Sequence, residues 1–188
     1  MKPTALTPPA PLGKLTINLH WIVAGAMIGL ACAGVLMKYW EVWSLYPIHK
    51  SLGILAFVVI ITRILWRLKS GWPTPARPYA RREQIAAKVT HWVLLITTLL
   101  MPLSGMLASG ASGHGFGLFG LTLVPTNHSL ATPNEVIPYS EQWANIGYAI
   151  HTYAGIVLAA ALSLHILGAL KHHLLDRDQT LLRMLGRV

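Results

Sequence analysis

Cysteine and charge are what this sequence has least of. Cys32 is the only thiol in 188 residues. A single cysteine excludes an intramolecular disulfide and any cysteine-based zinc or iron–sulfur centre, so Cys32 reads as a small apolar residue on the first helix. Charged residues make up 11% of the chain, against about 25% in an ordinary soluble domain. Asp and Glu together number six, and none falls within the four long apolar runs. A catalytic zinc site takes three close protein ligands, typically with carboxylate or thiolate among them, and those runs offer neither type in number. Internal repeats are absent, and the one biased tract is the proline-rich start from Pro3 to Pro11.

What is there is apolar. Hydrophobic residues make up 54% and mean hydropathy is +0.52, so the bilayer is the solvent to reason with. A spanning helix needs about 20 largely apolar residues, and four stretches qualify, approximately 19–37, 48–68, 88–108 and 145–170. The expected fold is an all-α, four-helix transmembrane bundle that fills residues 1–188 as one domain. Lys2 and Lys14 ahead of an apolar run, with Ala31-Cys32-Ala33 after it, have the outline of a cleaved leader. The run from Trp21 to Met37 is long enough to span with its flanks, and it reads as the first transmembrane helix.

Net charge is +9, and its distribution speaks against nucleic acid as the partner. On a four-helix topology, Lys2, Lys14, Arg63, Arg67, Lys69 and the basic residues from Arg77 to Lys88 share one side with Lys171, Arg177, Arg183 and Arg187. Only Lys38 and Lys50 fall on the other. That asymmetry is the positive-inside pattern. It places both termini and the Lys69 to Lys88 loop in the cytoplasm and the loop from Ser109 to Ala144 outside. Trp40, Trp43, Trp66, Trp72 and Trp92 suit the two interfacial belts.

Ionisable side chains within spans are expensive and mark function by default. His151 and His165 lie fourteen residues apart on one helix, just under four turns, so they share a face about 21 Å apart along the axis. Following the chain up and down the bilayer sorts the histidines by depth. His49 and His151 fall near the outer surface, and His20 and His165 near the inner one, with His91 at a similar inner depth. Two neutral imidazoles from different helices at one depth are what a six-coordinate b haem iron requires. Interhelical hydrogen bonding is the alternative for any one of them.

Arg63 lies fourteen residues after His49, at the inner depth. It reads either as the partner of a haem propionate or quinone carbonyl, or as a snorkelling residue at the helix end. Gly53, one turn past His49, leaves room for a flat macrocycle or simply for close helix packing. His172 keeps the face of His165, and with His91 it would border a quinone site, or else be an interface residue beside Lys171. His114 and His128 lie in the Gly-, Pro- and Ser-rich outer loop and read as solvated.

Taken in order, these residues resemble the bacterial cytochrome b561 family. The likeness is carried by Leu19-His20-Trp21, His49-Lys50-Ser51-Leu52-Gly53, Arg63-Ile64-Leu65-Trp66-Arg67, His91, Pro102-Leu103-Ser104-Gly105 and His165. It continues through Ala169-Leu170-Lys171-His172-His173, Asp176-Arg177-Asp178 and Leu181-Leu182-Arg183-Met184. The resemblance implies two b haems, one on His20 and His165 and one on His49 and His151, the same pairs that depth gives. It also implies His91 and His172 near ubiquinone, and membrane lipid and quinone as partners. One branch of the family oxidises superoxide outside and reduces ubiquinone, which would make the chain an oxidoreductase of the superoxide:ubiquinone type. Related cytochromes are membrane subunits that connect dehydrogenases or hydrogenases to quinone. The outer loop here carries Glu135 and Glu141 but no Lys or Arg, where an anionic substrate would be better steered by positive charge. Outside redox chemistry, a haem-free transporter using histidines as proton relays would be colourless.

Overall fold

A computed structural model describes residues 11–187; the proline-rich start before Pro11, with Lys2, lies outside them. Four long helices dominate: α1 Lys14–Tyr39, α2 Tyr46–Ser70, α3 Arg81–Ala111 and α4 Glu141–Leu174. Each is long and apolar enough to cross a membrane, and together they form the four-helix bundle. All four outrun the apolar stretches that mark them. The 34 residues of α4 rise about 51 Å, so the ends stand in the interfacial layers, where polar residues continue the helix. Backbone groups satisfied within one segment are what make a helix viable in hydrocarbon.

Local chemistry sets the boundaries. Pro47 lies in the first turn of α2, where its missing N–H costs nothing. Gly71 ends α2 with φ 70°, and its carbonyl accepts from Arg67 Nη1 at 3.0 Å. Ser140 Oγ caps α4 by accepting from the Trp143 amide. Pro102 lies inside α3, which continues through it. Thr97, Thr98 and Ser104 turn their hydroxyls back onto carbonyls of the same helix, so these buried polar groups need no outside partner.

The packing runs as a chain: α1 on α2, α2 on α3, and α3 most extensively on α4. Gly147 makes the last contact possible, since a Cβ there would lie 2.6 Å from the Ala108 amide nitrogen. Neither α1 nor α2 packs extensively against α4, and two pairs of histidines face one another across that separation. Val23, Met27, Ala56, Ile60 and Leu158 form the small buried core, while large apolar residues such as Ile22, Val58, Leu65, Leu164 and Leu167 are exposed. An apolar exterior over a tight core suits lipid as the solvent.

The Gly-, Pro- and Ser-rich loop between α3 and α4 holds a two-stranded antiparallel hairpin, β1 Phe116–Leu118 and β2 Leu121–Val124. These strands are too short to announce themselves as an alternating pattern, and long-range bonds hold them. Lys50 Nζ donates to the Gly115 carbonyl at 2.9 Å. Ser51 Oγ donates to the Gly117 carbonyl and accepts from the Phe119 amide at 3.0 Å. Ser109 Oγ donates to Gly115 at 2.6 Å. Gly115 itself has φ 59°, and a Cβ would lie 2.3 Å from the Val124 carbonyl oxygen. The hairpin therefore sits on the start of α2, beside His49. At the opposite, termini end, a short helix α5 Thr180–Met184 folds back beneath the bundle.

Candidate metal centres

Helix α1 brings His20 and α4 brings His165 to the termini end, with ring centroids 6.0 Å apart and planes at 56°. Helix α2 brings His49 and α4 brings His151 to the hairpin end, with centroids 6.4 Å apart and planes at 74°. A metal bound from both sides at about 2 Å per nitrogen places two imidazole centroids about 6 Å apart. Both pairs have that separation, and both bridge helices that do not otherwise pack closely.

At the hairpin end both imidazoles have surroundings that fit a ligating role. His151 Nδ1 lies 2.9 Å from the Met101 carbonyl oxygen and 3.1 Å from Ser104 Oγ. Donation to the carbonyl puts the proton on Nδ1 and leaves Nε2 with its lone pair free, which is how a metal-binding histidine is commonly oriented. Among the described residues His49 Nδ1 is buried with no hydrogen-bond partner, and such a nitrogen is costly unless something else satisfies the ring. At the other end Arg63 Nη2 lies 3.1 Å from His20 Nδ1. Among the described residues Arg63 forms no ion pair.

The pattern of residues matches prokaryotic cytochrome b561 from position 12 to position 187. The chain belongs to the prokaryotic cytochrome b561 family. It is 30% identical to cytochrome b561 homolog 2 of Escherichia coli (strain K12), over 95% of this chain and 93% of that protein. It is likewise 30% identical to cytochrome b561 homolog 1 of the same organism, over 93% of this chain and 96% of that one. A probable superoxide oxidase, CybB, of Yersinia pestis is 31% identical over 92% and 94% of the two chains. The chain is thus a bacterial membrane cytochrome b, and membership implies b-type haem and electron transfer. The donor set fits that group: paired imidazoles, a buried imidazole nitrogen without a partner, and a guanidinium free of carboxylates.

The other residues marked in this cytochrome b561 divide. His91 lies 5.2 Å from the His165 ring and 5.7 Å from that of Trp72, a tryptophan supplied by the α2–α3 loop. Trp72 also meets Trp92 and carries Arg67 over its face at 5.2 Å. His172 has different neighbours. Its Nδ1 is 3.0 Å from both Asp176 Oδ2 and Asp178 Oδ2, and its ring is 4.8 Å from Tyr79. Tyr79 Oη donates to Asp178 Oδ2 at 2.7 Å. Burial pushes the Tyr79 phenol above its usual range, with Asp178 adding to the effect. Burial also pushes the Asp178 carboxyl up, but hydrogen bonds from Thr180 and Tyr79 and the nearby His172 outweigh it, so Asp178 is held below the ordinary carboxylate range. Gly53 has open space where a Cβ would stand.

Sequence reasoning passed over Gly34 and named Gly105 only within the family motif, with no role beside a histidine. A Cβ on Gly105 would lie 3.3 Å from His151 Cε1, and one on Gly34 would lie 3.9 Å from His49 Cε1. The signal was the fourteen-residue step itself: His20 to Gly34, His49 to Arg63, His91 to Gly105 and His151 to His165. At the hairpin end, α2 and α4 present histidine while α1 and α3 present glycine beside it. Ser104 and the Met101 carbonyl were also missed, because an orienting hydrogen bond to a backbone oxygen leaves no mark in residue type.

Proposed function

We propose that this cytochrome b561 holds two b haems, one on His20 and His165 and one on His49 and His151, and passes electrons between a reactant at the hairpin end and ubiquinone at the termini end. The observation that carries the reading is the presence of two facing imidazole pairs, at 6.0 and 6.4 Å, on opposite ends of one membrane bundle. When bound, the haems supply reversible one-electron ferrous–ferric chemistry, and bis-imidazole ligation leaves no open iron position. The chain supplies spacing, orientation and access. His151 is held in its ligating tautomer by the Met101 carbonyl. Ligation of His20 through Nε2 puts its proton on Nδ1, so the Arg63 donor turns instead to an acceptor such as a propionate or a quinone carbonyl. His91, framed by Trp72 and Arg67, borders the quinone ring, and His172 lies toward the bulk from it.

Charge supports the orientation: of the fourteen Lys and Arg residues described, twelve belong to the termini end, which favours the cytoplasm for that end and the periplasm of an inner membrane for the hairpin. Superoxide is the reactant we place at the hairpin end, by similarity to the probable superoxide oxidase of Yersinia pestis. Two superoxide ions then give two molecules of oxygen, while one quinone takes two electrons and two protons. A second reading, a membrane subunit fed by a docked protein, draws on a different observation. Lys50 is engaged by the Gly115 carbonyl, while the segment between α3 and α4 exposes Phe119, Leu121 and Leu130 and carries Glu135 but no Lys or Arg, a composition better suited to a protein than to a small anion.

The deciding experiment places the purified protein in liposomes with ubiquinone and generates superoxide outside. Quinol formation that His151→Ala and His165→Ala each abolish supports the first reading. No quinol from a protein carrying both haems overturns superoxide as the reactant and leaves the subunit reading.

A further inference from the structure

The termini-end histidine pair joins α1 to α4, two helices with no extended packing between them. Something must fix their separation, and the structure offers α5. After α4 the chain reverses at Arg177, whose φ of 50° is rare for a residue with a side chain. The reversal is pinned from the α2–α3 loop: Arg77 Nη2 lies 2.9 Å from Asp176 Oδ1, and Tyr79 bonds both Asp178 and Thr180. Asp178 Oδ1 also accepts from the Thr180 amide at 2.8 Å, so α5 begins at a fixed point. Arg183, 6% exposed, donates to the Thr74 carbonyl at 2.8 Å. The far end of α5 then reaches α1, where Trp21 Nε1 donates to the Met184 carbonyl at 2.7 Å. Trp21 directly follows His20 and sets its ring edge-on to the imidazole at 5.2 Å.

We infer that α5 is a tie between α4 and α1 that sets the spacing and ring orientation of the His20–His165 pair, acting through Trp21 as a positioning residue. The inference rests on the proposed ligation of a b haem by that pair. The hairpin-end pair has its own supports, the Met101 carbonyl and the hairpin on α2, so α5 acts on one centre and not the other. Trp66 is a control within the same layer. Its Nε1 donates to Thr16 Oγ1 at 2.9 Å, an indole bond between α2 and α1 that touches neither histidine in the pair.

The test introduces Trp21→Phe and Trp66→Phe separately into the His151→Ala background, which retains only the termini-end haem, and into the wild type. Ferric low-spin EPR, which reads the relative orientation of two axial imidazoles, and haem content per protein are the readouts. The tie predicts that Trp21→Phe shifts or broadens the termini-end signal and lowers its haem occupancy. The hairpin-end signal of the wild-type background and all signals of Trp66→Phe stay put. A stop codon after Asp178, which removes α5 but keeps the Tyr79–Asp178 pin, should lose the termini-end haem and keep the other. Unchanged spectra in both Trp21→Phe and the truncated chain overturn the tie, and so does equal loss of both haems, which would make α5 a general folding element. A wild-type protein with no haem on His20 and His165 refutes the ligation itself and the tie with it, an outcome read before any variant is made.

Discussion

Gly105 and His151 show how little room a single residue has at the hairpin end. A side chain at position 105 enters space that begins 3.3 Å from His151 Cε1, and interiors packed to crystal density do not absorb the three carbons of a valine there. Gly105→Val should cost the hairpin-end haem and spare the termini-end one. Retention of both, measured as pyridine haemochrome per protein, would show that the approach is not tight. At the other end, Asp178 is held below its usual range by Thr180, Tyr79 and His172 despite burial. A depressed carboxyl contributes stability that is present above its unfolded value, about 3.9, and is lost as pH falls through the lower folded value. Melting of wild type and Asp178→Asn in detergent should therefore differ at neutral pH, with the gap closing below about pH 3.9. A gap that persists unchanged in acid would contradict the role given to Asp178. At this scale the sequence revealed which histidines share a depth, because helical spacing converts residue number into height. It hid whatever depends on a backbone carbonyl or on the absence of a side chain. His172 drew its neighbours from Asp176 and Asp178, and not from His91, because the reversal at Arg177 brings the carboxylates back onto α4.

The hairpin and the α3–α4 seam are held at the element scale. Gly115→Ala meets both a positive φ and a carbonyl oxygen 2.3 Å from the new carbon, so β1 should detach from α2. Limited proteolysis of that variant should cut between positions 112 and 140, where wild type resists; equal resistance would show that the hairpin does not depend on that turn. Ser109→Ala removes one of the two donors to the Gly115 carbonyl and leaves Lys50 as the other, so it should cost about 0.5–1.5 kcal/mol, read as a lower midpoint in detergent melting. Four helices were legible because runs of apolar residues with few charges have no other stable form in lipid. The hairpin was not, since three- and four-residue strands carry too little pattern and their anchors, Lys50 and Ser51, lie more than 60 residues away in sequence. Helix α5 was equally silent, with five residues that have no meaning until Trp21 and Thr74 are beside them.

The whole molecule is two layers of chemistry stacked in one bundle, with basic residues at one end and a hairpin that offers few cations at the other. Charge predicts that a reporter active only in the cytoplasm works when fused after Val188 and fails when inserted in the loop at residue 130; the reverse would invert the direction of electron flow proposed here. The stacking itself is the central claim, and the most direct measurement is a reduced-minus-oxidised absorption spectrum of the purified protein with haem and polypeptide quantified on the same sample. Two low-spin b haems per chain are expected, falling to one in His165→Ala and to one in His151→Ala. A single haem in the wild type, or two that survive both substitutions, would contradict the stacking.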